Sequence, residues 1–150
     1  MSNGARVPIA ATHAVRDTCI CLHVQRAARA LARRFDEALR PLGLTNGQFS
    51  LLAALNRAEP ARLGQVAELL AMDRTTLTAA LKPLERRGLV GVAVDQSDRR
   101  GRRLELTPAG HALLAAALPV WRREHARFEA EALKGKTSLD RMREELRGFT

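Results

Sequence analysis

Apolar positions along this chain keep the spacing of helices, with one stretch where they alternate in twos. Ile20, Val24, Ala27, Ala28, Leu31, Phe35 and Leu39 fall on one face with arginines mostly opposite, which predicts a long helix from about Asp17 to Arg40. "RPLGLT" ends it through Pro41 and Gly43; Thr45, with Gln48 three residues on, then forms a capping box for a helix over 46–57. "AEPAR" breaks the chain again. Leu63, Val66, Ala67 and Leu70 predict a short helix over about 64–70, "AMD" a tight turn, and Asp73 an N-cap for a helix running to about Arg87. Pro83 removes a backbone donor inside that helix and predicts a bend, and Gly88 is its C-terminal cap.

"LVGVAV" and "RRLELT" alternate as two strands of a hairpin joined by "DQSDRRG". Thr107 followed by Pro108 is a cap and a preset first position for a helix reaching about Leu133, with a kink at Pro119. "GKTS" breaks that helix, and a short one over 139–147 follows; residues 1–14 read as a loose tail. Two helices around a tight turn, followed by a hairpin, make a winged helix-turn-helix. The expected fold is mainly α with a small β-hairpin wing: a winged helix-turn-helix module over 45–107, flanked by helical regions over 15–44 and 108–150, all within a single domain over 1–150.

The second helix of the pair carries the functional signal. Leu77, Ala80, Leu81 and Leu84 cluster toward the core, and the other side presents Arg74, Thr75, Thr78, Ala79, Lys82 and Arg86. Small residues there let the backbone approach a major groove, hydroxyls can meet bases or phosphates, and the cations can neutralise phosphates. A solvated amphipathic surface helix has the same pattern, so this helix does not decide the matter alone. The hairpin tip does: Asp98, Arg99, Arg100, Gly101, Arg102 and Arg103 crowd like charge into one turn, and an arginine at such a tip suits the strong negative potential of a minor groove.

Charge agrees with that reading. Twenty-five basic residues against 16 acidic leave +9, an excess that is almost entirely arginine and favours a polyanionic partner. Two cysteines, at 19 and 21, make no disulfide framework and favour a reducing compartment. No apolar run approaches a membrane span, and "VPIAATHAV" is too short and too weakly apolar for a secretory signal. A cytoplasmic protein with no membrane partner is expected.

The segments "LGQVAELLAMDRTTLTAALKPLERRGLV" (63–90) and "DQSDRRGRRLELTPAG" (95–110) resemble the multiple antibiotic resistance regulator (MarR) family of bacterial transcription factors. The family's wing carries an aspartate followed two residues later by an arginine, matched here by Asp98 and Arg100. The resemblance covers nearly the whole chain. It implies an obligate homodimer, built from the first and last two helices, that binds pseudo-palindromic double-stranded DNA and answers to a small-molecule effector, here unidentified. It also implies that Arg100 enters the minor groove, held by a salt bridge to Asp98 or Asp73. The DNA-binding set expected is Arg74, Thr75, Thr76, Thr78, Lys82, Arg86, Asp98, Arg99, Arg100 and Arg102, with no cofactor and no metal.

"CICLH" offers a sensor. The spacing from Cys21 to "LGLT" is similar to that of the reactive cysteine in the organic hydroperoxide resistance branch of the family. That branch uses tyrosines around its thiol; this chain has none, with Phe35 and Gln25 in the corresponding places. Cys21 at the edge of an apolar face also reads as a small packing residue, with redox sensing the alternative. Cys19 and His23 lie one turn apart, two ligands only. Phe35, Phe49 and Trp121 are candidates for core packing or for lining an effector pocket. A non-specific nucleoid protein would also suit the charge. An enzyme would not suit the sequence, because the histidines at 13, 23, 111 and 125 form no ligand or nucleophile pattern and no phosphate-binding glycine loop occurs.

Overall fold

The computed structural model describes residues 6–134 and 138–150. Its helices are α1 (Ile9–Thr18), α2 (Ile20–Leu39), α3 (Asn46–Leu55), α4 (Leu63–Leu69), α5 (Arg74–Arg86), α6 (Pro108–Lys134) and α7 (Leu139–Arg147). Three short strands, β1 (Ala61–Arg62), β2 (Val90–Val94) and β3 (Arg102–Leu106), form an antiparallel sheet in the order β1-β3-β2. The chain divides into two compact units, residues up to Arg34 and residues from Phe35 onward.

The first unit corrects the expectation of a tail over 1–14, of which residues 1–5 lie outside the described residues. Residues 9–14 belong to α1, which starts after Pro8 and buries none of its side chains. The long helix expected from Asp17 starts instead at Ile20. Thr18 Oγ1 donates to the Ala14 carbonyl at 2.7 Å, and Cys19 turns extended (ψ 105°), ending α1. The His23 ring then donates through Nε2 to the Asp17 carbonyl at 3.2 Å, satisfying a group the helix end leaves open.

The second unit holds the core. Leu39, Leu52, Val66, Leu77, Leu84 and Leu104 are all but inaccessible, and each such side chain taken from water contributes about 2 kcal/mol before the entropy of ordering is subtracted. Phe35 is buried, and Phe49 stacks on Trp121 with ring centroids 6.1 Å apart. The capping box expected at α3 is present: Thr45 Oγ1 accepts from the Gln48 amide at 3.2 Å, and Gln48 Oε1 from the Thr45 amide at 3.1 Å.

The hairpin strands pair as their alternation requires. Val90 lies opposite Leu106 and Val92 opposite Leu104, putting the apolar members on one face. The third strand, β1, was not expected; Ala61 pairs with Leu104 and Arg62 with Arg103. Both α5 and α6 continue as helices through Pro83 and Pro119. The break expected at "GKTS" falls on residues 135–137, outside the described residues, and α7 occupies the expected 139–147.

Within the second unit, one joint links the end of α5 to the start of α6. Gly88, at φ +68°, ends α5: its amide donates to the Glu85 carbonyl and the Leu89 amide to the Leu84 carbonyl, both at 2.9 Å. Thr107 Oγ1 donates to the Gly88 carbonyl at 2.6 Å and accepts from the Gly110 amide at 3.1 Å, so one hydroxyl links the end of α5 to the start of α6. A Cβ on Gly110 would stand 2.1 Å from the Leu89 carbonyl oxygen. Gly110→Ala is therefore expected to lower stability by about 1–3 kcal/mol through forced separation of α6 from Leu89. Urea unfolding checks this, and an unchanged midpoint would mean that α6 does not depend on that contact.

Candidate nucleic-acid interface

The face predicted for α5 is the face the structure exposes. Leu77, Leu81 and Leu84 are buried, and Ala80 is half-buried against the core. Arg74, Thr75, Thr76, Thr78, Ala79, Lys82 and Arg86 are all exposed. Five of them (Arg74, Thr75, Thr78, Ala79, Lys82) line a shallow depression of about 320 Å³ along the helix. Its lining combines three small side chains with two cations, a composition that would let a flat polar edge come close to the backbone.

The threonines differ in what they have to offer. Thr78 Oγ1 donates to the Arg74 carbonyl at 2.7 Å, and Thr76 Oγ1 donates to Asp73 Oδ2 at 2.5 Å. Their hydrogens are committed within the helix, leaving lone pairs toward solvent. Thr76 in particular serves the cap, whose other half is the Thr76 amide donating to Asp73 Oδ1 at 2.8 Å. The turn that presents α5 is tight enough to hold Ala71 at φ +50°, where a Cβ is disfavoured.

The hairpin tip is shaped by aspartates. Asp98 Oδ1 accepts the Arg100 amide at 3.0 Å, and the Gly101 amide donates to the Asp98 carbonyl at 2.8 Å. The expected salt bridge to Arg100 is not formed: Asp98 is engaged with backbone and Asp73 with the α5 cap. Among the described residues, none of Arg99, Arg100 and Arg102 pairs with a carboxylate, and all three are exposed. Arg100 and Arg102 converge with Arg62, Gly64, Gln65 and Arg74 on an open cleft of about 590 Å³. This cleft brings the wing and the first residue of α5 to one place, which the sequence could not establish.

One residue of the region escaped the sequence reading. Asp95 is the single buried charged or polar residue described, at 3% exposure. Its Oδ1 accepts the Ser97 amide (3.0 Å) and hydroxyl (2.8 Å), and its Oδ2 meets Arg62 Nε at 3.3 Å and Arg103 Nε at 3.1 Å. These contacts hold its carboxyl below the usual carboxylate range, the Ser97 hydroxyl first, then the Ser97 amide, with the two arginines adding to it. The signal was present in "DQS", an aspartate two residues before a serine, the pattern of a side chain closing its own turn.

Cys21 is exposed, so the packing role expected of it is not seen in the single chain, and Gln25 Nε2 donates to its Sγ at 3.2 Å. Cys19 is half-buried. No group of three or more His, Cys, Asp or Glu able to hold a metal occurs among the described residues. No helix among them is long and apolar enough to cross a membrane.

A family model described as MarR family matches residues 42–101, from the turn before α3 to the wing tip. The HTH-type transcriptional regulator YybA of Bacillus subtilis is 30% identical over 114 residues, 76% of this chain and 73% of that protein. The chain spans about half (50%) of the length of several other curated transcriptional regulators it matches. Among solved structures it is similar to the transcriptional regulator MosR of M. tuberculosis in complex with DNA, at TM-score 0.78 and 38% identity, over 87% of this chain and 92% of that one. It is also similar to CouR of Rhodococcus jostii RHA1 bound to p-coumaroyl-CoA, at TM-score 0.67 and 25% identity, over 89% and 90% of the two chains.

The cap of α5 makes stability depend on pH. Asp73 is held below the usual carboxylate range by the Thr76 hydroxyl first and the Thr76 amide second. A depressed native pKa stabilises the fold above the unfolded carboxyl value of about 3.9, and that contribution is lost as pH falls through the native value. The urea midpoint should therefore fall below about pH 4, and fall less steeply in Asp73→Asn. Equal slopes for parent and variant would show that the ionised carboxylate adds nothing to the cap.

Proposed function

The chain belongs to the MarR family of DNA-binding, winged-helix transcriptional regulators, and on that premise we propose that it is a homodimeric, sequence-specific repressor. It reads a pseudo-palindromic operator and is released by a small-molecule effector. The observation that carries the reading is the cleft where Arg74 of α5 meets Arg100 and Arg102 of the wing. Among the described residues none of these three guanidiniums is paired with a carboxylate, although Glu68 and Asp98 also line the cleft, and a phosphate backbone would supply the missing partners. In this arrangement α5 lies in a major groove, with Thr75, Thr78 and Lys82 toward the bases and phosphates. Arg86 meets the backbone, and Arg99, Arg100 and Arg102 follow the adjacent minor groove. Thr76 and Asp98 act by holding the cap and the tip in shape.

The dimer is supported by apolar surface that one chain leaves open. Ile20 is 64% exposed and Val24 41% on α2, and near the C-terminus Met142 is 38%, Leu146 43% and Phe149 75% exposed. Burying such side chains against a second copy would give the regions 15–44 and 108–150 the dimerisation role, with 45–107 as the DNA-binding module. A repressor of this kind would act in the cytoplasm, on the chromosome. A second reading keeps the same DNA site and makes Cys21 the sensor, favoured by its exposure and by the Gln25 contact at its sulfur.

The test is binding to a duplex enriched by the protein from a random-sequence pool. Arg100→Ala should weaken binding by about tenfold or more and make the salt dependence shallower by about one counterion per lost phosphate contact. Arg100→Ala binding as tightly as the parent would refute the wing assignment. Loss of binding on treatment with an organic hydroperoxide, abolished in Cys21→Ser, would favour the thiol sensor over the effector.

A further inference from the structure

Arg62 and Arg103 are direct register partners across β1 and β3. Like charges placed opposite one another in an antiparallel pair repel and destabilise it. Here the conflict is resolved by one oxygen: Asp95 Oδ2 lies 3.3 Å from Arg62 Nε and 3.1 Å from Arg103 Nε, in a carboxylate only 3% exposed. The other oxygen, Oδ1, turns the chain by holding the Ser97 amide and hydroxyl. The Asp95 amide closes the loop on the Gly101 carbonyl at 3.1 Å, and Arg103 Nη1 also donates to the Pro60 carbonyl at 3.1 Å. The Asp95 carboxylate thus adds to the strand pairing and the Arg103–Pro60 bond that tie the wing's root to β1, and through Ser97 it joins the turn toward the tip.

We infer that Asp95 is a positioning residue for DNA recognition: it touches no DNA itself, but clamps Arg62 opposite Arg103 and so fixes where the wing presents Arg100 and Arg102. The inference rests on the DNA-binding reading above and adds to it a residue outside the predicted contact set. Asp95 is a poor choice for stability alone. Buried ion pairs are commonly replaced by apolar residues at no loss, so what the carboxylate contributes is a defined geometry for a strand pair that would otherwise repel. The remaining guanidiniums are divided by the same group. Arg62 and Arg103 are paired with the Asp95 carboxylate, while among the described residues Arg99, Arg100 and Arg102 have no carboxylate partner.

The sign of one mutational effect separates this role from its alternatives. Asp95→Asn removes a negative charge near a polyanion, so electrostatics alone predicts tighter DNA binding. A residue needed only for stability predicts a lower melting temperature and unchanged affinity wherever the protein is folded. Positioning predicts weaker binding, by about tenfold, the size of one well-placed wing contact. The probe is the duplex enriched from a random-sequence pool by the parent, with far-UV dichroism establishing that each variant is folded at the assay temperature. Arg103→Met should weaken binding similarly, and the double variant little further, because both act through one clamp. If Asp95→Asn does not fold, the charge-neutral Ser97→Ala, which removes the hydroxyl that holds Asp95 Oδ1, decides the matter: weaker binding by the folded variant supports the clamp, and unchanged affinity overturns it. Amide exchange over residues 95–101 should quicken in either variant without DNA present. Should the parent enrich no duplex, the DNA-binding reading and this inference fall together. Should it bind while both variants match or exceed its affinity, the inference alone is overturned.

Discussion

The hydroxyl of Thr107 holds the arrangement of the DNA-reading parts. It donates to the carbonyl of Gly88, where α5 ends, and accepts from the amide of Gly110, where α6 begins. Because Gly88 takes a left-handed conformation, the chain passes from α5 to β2 with only three residues between them. The distance between α5 and the hairpin is therefore set by a short rigid joint rather than by a loop. A side chain at residue 110 would part that joint. The cleft that brings Arg74 to Arg100 and Arg102 depends on it, since the two walls of the cleft sit on opposite sides of the joint in sequence.

Arginine does two kinds of work in this molecule, distinguished by its partners. Arg62 and Arg103 meet a buried carboxylate, and Arg87 donates to the Gly43 carbonyl at 2.9 Å across a long stretch of sequence. These side chains join elements that would otherwise be adjacent without being fixed. Among the described residues Arg99, Arg100 and Arg102 have no such carboxylate, and all three lie exposed at or beside the tip. A planar, always-charged guanidinium suits both uses, buried pairing and phosphate recognition, better than an ammonium does. Net charge of +9 describes the attraction to a polyanion in general terms; the division between paired and unpaired arginines says where on the surface it acts.

What was legible in the sequence were features with local causes. The capping box of Thr45 and Gln48, the Asp73 cap, the Gly88 terminus and the Thr107-Pro108 start each depend on residues within a turn of one another, and all four are present. The outward face of α5 was legible for the same reason, as periodicity is local. What the sequence hid depends on distant partners or on too few residues. A two-residue strand such as β1 has no period to detect. Asp95 owes its role to Arg62, 33 positions away in the numbering, which no local pattern connects to it. Helix α1 buries nothing, so it left no apolar stripe to find, and the break at Cys19 has no proline or glycine to mark it. The pairing of Arg100 was misjudged because Asp98 spends its oxygen on a backbone amide rather than on a guanidinium.

The central claim is that α5 and the wing together read a particular DNA sequence. Fluorescence anisotropy on the intergenic DNA beside the protein's own gene, against a scrambled duplex of the same composition and at two salt concentrations, tests it most directly. The account predicts tight binding to the native segment, weaker binding to the scrambled one, and a gap between them that persists as salt rises, since base contacts are screened less than phosphate contacts. Equal affinity for both duplexes, vanishing together in salt, would contradict sequence-specific reading and leave a general binder of nucleic acid.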